Sequence, residues 1–336
     1  MSEGEKKPGC TSTLLLGFEL PTIFQSSFNR LVVEESRIGI LESVGLGGCL
    51  LVDKMLIRIG YDIALNFTFP TAVIHLLRVH PSRGSDLLAP ERFTTDPELP
   101  VEEYYDRFGN LRGRVLAPPG RLRFTNEAVI RDSGQLDAYA PEATQLEASE
   151  IPTDLLEFLL PSRYCEVDSE LTDFAWRTFM QAKPGWERVQ AVCDFVHGHL
   201  QFNYQKARSD RTALDAFRER VGVCRDFAHL AITLCRCLNI PARYATGYLG
   251  DIGVPHVPDP MDFSAWFQVY LQGQWYTFDA RHNRRRIGRV LMGLGCDASH
   301  VPITMSFGKQ LLETFQVITE EIDIAAVPEA LVVKAA

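Results

Sequence analysis

The sequence predicts an α+β protein, and three observations carry that reading. Alternation of apolar and polar residues begins at Met55. An apolar rhythm of helical period follows Cys224. Two β-rich runs, Phe263 to Leu271 and Trp275 to Ala280, flank the tight-turn pair Gln272-Gly273. The arrangement predicts an antiparallel β domain followed by a mixed core in which a helix-borne cysteine packs on an antiparallel sheet.

Residues 1–54 fit no clean period and read as a poorly ordered leader. From Met55, Ile57, Ile59, Tyr61, Ile63, Leu65 and Phe67 alternate with Arg58, Gly60, Asp62 and Asn66, as in a strand with one buried face. Thr71 to Val79 is a second β-rich run. Tyr104 to Val115 contains Phe108-Gly109-Asn110, a hairpin turn, and Arg121 to Ile130 reads as a further strand. Residues 55–148 are therefore expected to form the β domain. The Pro-containing stretch 138–152 is its linker to a core over 149–320, and 321–336 is a tail.

Helical patterns follow. Leu171, Phe174, Ala175, Thr178 and Phe179 share one face; Trp186, Val189, Val192, Cys193 and Val196 share another. After Cys224, Phe227, Leu230, Ala231, Leu234, Cys235 and Leu238 continue the rhythm until Asn239 and Pro241 end it.

Composition narrows the function. The chain has 336 residues with a formal net charge of −9, which argues against a nucleic-acid binder, since such a protein needs a basic surface to displace phosphate counterions. Its eight cysteines are dispersed and read as reduced thiols, not a secreted disulfide framework. No run approaches the length of a membrane-spanning helix. A soluble, cytoplasmic protein is expected, without membrane association, cofactor or metal.

Cys224 is the candidate nucleophile. A helix start presents unpaired N–H groups and the positive end of the dipole, which favour a thiolate. Gly222 allows a sharp entry into the helix. Asp226 opposes a nearby thiolate, and Arg225 offsets it. A two-residue turn at Gln272-Gly273 puts Asp279 opposite Trp266 and diagonal to Ser264, whereas a three-residue turn shifts the register by one. Taken on position alone, Cys224 also suits a small buried side chain, and Asp279 a strand-end turn former.

Gly222-Val223-Cys224-Arg225-Asp226-Phe227-Ala228-His229-Leu230, then Ile240 to Tyr244, then Asp262 to Leu271 and Trp275 to Asp279 together resemble the bacterial transglutaminase-like proteins. The resemblance covers about residues 150–310. It implies a papain-like α+β core and a Cys-His-Asp triad, with Cys224 as nucleophile and Asp279 as orienting carboxylate. The family histidine falls at Ser264. A serine is no general base near neutral pH. His282, just after Asp279, and His256, in the Pro-rich loop before the strand, are the candidate substitute bases. The implied reaction is cleavage or transfer of an amide or peptide bond of a peptide or protein substrate through a Cys224 thioester. The other reading is a catalytically impaired homologue that serves as a peptide-binding or scaffolding module. The basic run Arg281 to Arg286 reads as a solvated loop, or as a contact for an acidic substrate.

Overall fold

In the computed structural model, residues 13–14, 55–256, 261–328 and 331 are described. The expected leader over 1–54 thus lies outside the described residues, except for Thr13–Leu14, which pairs with Thr304–Ser306.

The alternating run forms the strand Met55–Phe67, paired along its whole length with Gly120–Asp132 on one side and with Gln310–Ile322 on the other. Thr94–Asp96 adds a fourth strand to this sheet. A second sheet orders Thr304–Ser306, Thr71–His75, Leu111–Ala117 and Glu102–Tyr105. The apolar faces of the two sheets meet in a core containing Ile57, Ile59, Ile63, Phe67, Val73, Val115 and Phe124. The polar face expected for the first strand is only partly exposed. Gly60 and Ala64 are buried as well, because the strand is central in its sheet.

Besides Thr13–Leu14, three strands were not foreseen in this β half: Thr94–Asp96, Thr304–Ser306 and Gln310–Ile322. Gln310–Ile322 is half exposed and its apolar pattern is irregular, with a bulge between Leu312 and Thr314. Both it and Thr304–Ser306 belong to the β sheets, although they lie late in the chain. The tail boundary expected after residue 320 falls inside the longer strand. Pairing between distant segments, which local pattern does not report, decided this.

The other half is built on the helix Cys224–Cys237. Every one of its residues is buried, against helices Glu170–Phe179, Trp186–His199 and Ala213–Glu219 and against an antiparallel sheet. That sheet orders Gln274–Phe278, Ser264–Leu271, Ala242–Leu249 and Arg289–Gly295. Full burial requires partners for the polar side chains of the helix. Arg236 donates to the carbonyls of Ala242, Leu160 and Cys296, and Thr233 donates to the His229 carbonyl at 2.8 Å. Asn239 ends the helix with φ 61°, a left-handed conformation that asparagine tolerates, and Pro241 follows. The sheet joins the two halves. Tyr244 and Phe267 pack with the helices, whereas Tyr248, Phe263, Val290 and Met292 pack in the β core.

Candidate active site

The Cys224 helix is capped by its own first turn. Asp226 Oδ2 accepts from the Val223 amide at 2.9 Å and from Arg211 Nη1 at 3.1 Å. Arg225 Nη2 stands 3.5 Å from Oδ1. The carboxylate is thus engaged on three sides, and Arg211 rather than Arg225 is its nearest cation. Gly222 is required here for space and not for a turn. A Cβ at that position would lie 2.6 Å from Asp226 Cβ and 2.8 Å from its Oδ2.

The hairpin has the register that a two-residue turn dictates. Gln272 and Gly273 both have positive φ, 46° and 87°, as in a type I′ turn. Leu271 faces Gln274 and Phe267 faces Phe278, so continuation of the register brings Asp279 to Trp266. Ser264 begins the neighbouring strand opposite Gly247.

Asp279 follows the last strand residue, Phe278, and is buried. Burial by itself raises a carboxyl pKa. Here the Arg289 guanidinium, 2.9 Å from Oδ2, and two hydrogen bonds from His282 overcome that and hold Asp279 well below the usual carboxylate range. His282 Nδ1–H donates to Oδ2 at 2.9 Å, and the His282 amide donates to Oδ1 at 3.0 Å. Strand parity would have turned His282 to the opposite face. The strand ends before it, and the chain folds back in an Asx-type turn that sets the ring on the carboxylate.

Arg289 was not foreseen as part of this cluster. It also contacts Asp137 Oδ2 at 2.9 Å, and its guanidinium lies 5.0 Å from the Trp266 ring centroid. Trp266 is thereby packed under the cation. Trp275 instead stacks with Arg243 at 4.0 Å.

Ser264, Asp262, Arg281, His282, Tyr204 and His256 line one cavity of about 100 Å³. Ser264 is 6% exposed, and its Oγ is buried with no hydrogen-bond partner. Asp262 Oδ1 is likewise shielded and unpartnered. Burial pushes the Asp262 carboxyl up to about 7, against the Phe263 amide and the Arg281 charge. His256 is 80% exposed at its side chain and pairs with Asp251 at 3.3 Å. His229, buried in the Cys224 helix, is a packing residue: its ring stacks on Tyr164 at 5.0 Å and its Nε2 accepts from the Ala298 amide at 3.1 Å.

The thiol departs from expectation. Burial pushes Cys224 up to about 11. Arg281 and the Ala265 amide favour the thiolate, while Asp262 and Asp226 disfavour it. Desolvation is the largest influence and outweighs the helix terminus, because Cys224 is buried, only 8% exposed.

Asp262 escaped sequence reasoning as a site residue, and Arg281 was read only as part of a basic run open to an acidic substrate. The available signals were weak: Arg281 opens the basic run, and Asp262 lies two residues before Ser264. Among the described residues, no group of three or more His, Cys, Asp or Glu side chains is placed to hold a metal ion. No helix among them is long and apolar enough to cross a membrane.

A buried helix that starts with cysteine, packed on an antiparallel hairpin that ends in a carboxylate, is the frame of a thiol-enzyme class. Residues 173–280 match the model of the Transglutaminase-like superfamily. The crystal structure of a candidate cysteine protease from Cytophaga hutchinsonii superimposes with a TM-score of 0.71 at 29% identity, covering 82% of this chain and 93% of that one. An uncharacterized Mycobacterium leprae protein, ML0607, is 26% identical over 216 residues, 62% of this chain and 77% of its own length. The uncharacterized Mycobacterium tuberculosis protein Rv2569c is 24% identical over 231 residues, 63% of this chain and 73% of its own. Residues 173–280 thus form a transglutaminase-like domain of the chain.

Proposed function

We propose that the protein is a thiol hydrolase that cleaves an amide or peptide bond through a thioester on Cys224, with the Asp279–His282 pair in place of the family histidine. The observation that carries this reading is the 2.9 Å bond from His282 Nδ1 to Asp279, beside the cavity that Ser264 also lines. Asp279 stays ionised, so Nδ1 keeps its proton and the lone pair falls on Nε2. Nε2 takes the thiol proton as the Cys224 sulfur attacks the acyl carbonyl. It then gives that proton to the departing amine, leaving a thioester. Water attacks the thioester and loses a proton to Nε2. The acid departs, and the sulfur recovers its proton. The N–H groups at the helix start and the Ala265 amide are the candidate oxyanion donors. Hydrolysis is preferred to transfer because nothing in the cavity marks a separate amine site.

The neutral Cys224 thiol and the serine at position 264 favour a second reading, a peptide-binding module that kept the cleft and lost its base. Amide turnover and the rate of Cys224 alkylation against pH separate the two. Under the hydrolase reading, Cys224→Ala abolishes turnover, and His282→Gln lowers kcat by about 10²-fold with folding unchanged. A His282→Gln protein that retains full activity refutes the assigned base. A native chain that turns over no amide, with Cys224 alkylated no faster than a buried free thiol, establishes the binding module.

A further inference from the structure

The structure divides the basic run Arg281 to Arg286 by environment. Arg286 donates to the Gly250 carbonyl at 2.7 Å and lies 3.9 Å from Asp251. Arg285 stacks on Tyr139 at 4.9 Å, and Arg284 and Arg285 are exposed. Arg286 also lines the cavity that Ser264 and His282 line but is engaged by Gly250 and Asp251, so Arg281 is the cavity arginine whose charge is left over. Its guanidinium lies 3.8 Å from the Phe202 ring centroid, and its backbone carbonyl accepts from His197 Nδ1 at 2.9 Å. Both side chain and backbone are thus held in place. Among the described residues it takes part in no ion pair, yet it lines the cavity with Ser264 and His282.

We propose that Arg281 and Ser264 form an anion subsite beside Cys224, which selects acyl substrates carrying a carboxylate, such as a peptide with an acidic side chain next to the scissile amide. The proposal rests on the thiol-hydrolase reading for the reaction but not for the subsite itself. Stacking on Phe202 leaves the edge of the guanidinium to donate, the geometry that suits a carboxylate. Ser264 Oγ is buried and unpartnered, and a bound carboxylate supplies the acceptor it lacks. The Arg281 charge favours the Cys224 thiolate, and Ser264 directly precedes Ala265, whose amide hydrogen-bonds the Cys224 sulfur, so both subsite residues adjoin the nucleophile. Asp262 borders the same cavity and opposes an anion. Burial keeps that carboxyl partly protonated at neutral pH, so its opposition is weaker than that of a free carboxylate.

Alkylation of Cys224 by iodoacetate and by iodoacetamide tests the subsite without any need for turnover. The two reagents differ in charge, and each rate is divided by that of a free-cysteine peptide. The normalised ratio should favour iodoacetate in the native chain, fall with added salt, drop about fivefold in Arg281→Gln and persist in Arg281→Lys. A native ratio equal to that of the free peptide overturns the proposal, as does an unchanged ratio in a folded Arg281→Gln chain. If Cys224 resists both reagents, the hydrolase reading fails instead. The subsite is then judged by calorimetry on the Cys224→Ala chain with N-acetylglutamate amide and N-acetylglutamine amide. Tighter binding of the glutamate compound, lost in Arg281→Gln, upholds it; equal binding of the two compounds rejects it.

Discussion

Asp279 accepts the Nδ1–H of His282, three residues further along the chain, at 2.9 Å, while Arg289 meets the same carboxylate oxygen at 2.9 Å. One buried carboxylate therefore fixes an imidazole and neutralises a buried guanidinium. Asp279→Asn removes that charge and leaves Arg289 with Asp137 alone. Breaking a buried pair in this way should destabilise the fold by about 3 kcal/mol, measured by urea unfolding. The depressed Asp279 pKa also has a direction in pH. Its contribution is present above the unfolded carboxyl pKa and is lost as pH falls through the lower folded value, so native and Asp279→Asn stabilities should converge in acid.

Ser264→His restores an imidazole where Ser264 Oγ now lies buried and unpartnered. The alkylation profile of Cys224 should move to lower pH, because an adjacent imidazolium offsets the desolvation that holds the thiol up at about 11. Because His282 already supplies the base under the hydrolase reading, amide turnover should change by less than about tenfold; a gain of about 10²-fold or more would show that the base was missing and refute that assignment. An unchanged alkylation profile would show that the new ring does not reach the sulfur.

Gly222→Ala tests the helix start. The added methyl would meet Asp226 at 2.6 Å, and the carboxylate must move away from the Val223 amide and Arg211. Loss of the cap together with local overpacking should cost about 2–4 kcal/mol. Thermal unfolding reads the loss, and a variant as stable as the native chain would refute the steric argument.

His75 makes the β core sensitive to acid. Its ring packs against Phe93 and Phe124, and neither nitrogen has a partner. Burial lowers its pKa to about 4, below the ordinary value for histidine. Between about 6.5 and 4 the unfolded chain binds a proton that the folded chain refuses, so stability falls as pH drops through that window, by about 3 kcal/mol for this group. His75→Leu should remove that share of the slope in urea titrations at pH 7 and pH 4. An identical slope in the variant would place the acid sensitivity elsewhere.

Much of this structure was legible from local pattern. Alternation placed the strand Met55–Phe67, and the apolar rhythm after Cys224 placed the central helix with its end at Asn239. Gln272-Gly273 set the hairpin register because a type I′ turn permits only one pairing. The helix Ala213–Glu219 was missed although its cap is local, with Thr212 and Asp215 bonding reciprocally. Its seven residues are too few to display a period. The strands Arg289–Gly295 and Gln310–Ile322 were missed for other reasons. The first is short and carries two glycines; the second is half exposed.

Sequence alone determined the frame: a cysteine opening a buried helix, a hairpin that brings Ser264 and Asp279 near each other, and a serine at the family's histidine position. Each depends on residue type and on spacing within a few dozen residues. Tertiary structure alone decided what surrounds that frame. It brought Arg289, itself paired with Asp137, onto Asp279, turned His282 back onto the carboxylate, and set Asp262 and Arg281 at the cavity that Ser264 and His282 line. It also reversed the expected ionisation of the thiol. A pKa reflects the balance between lost hydration and nearby charge, and both are properties of the packed site rather than of the residue's neighbours in the chain.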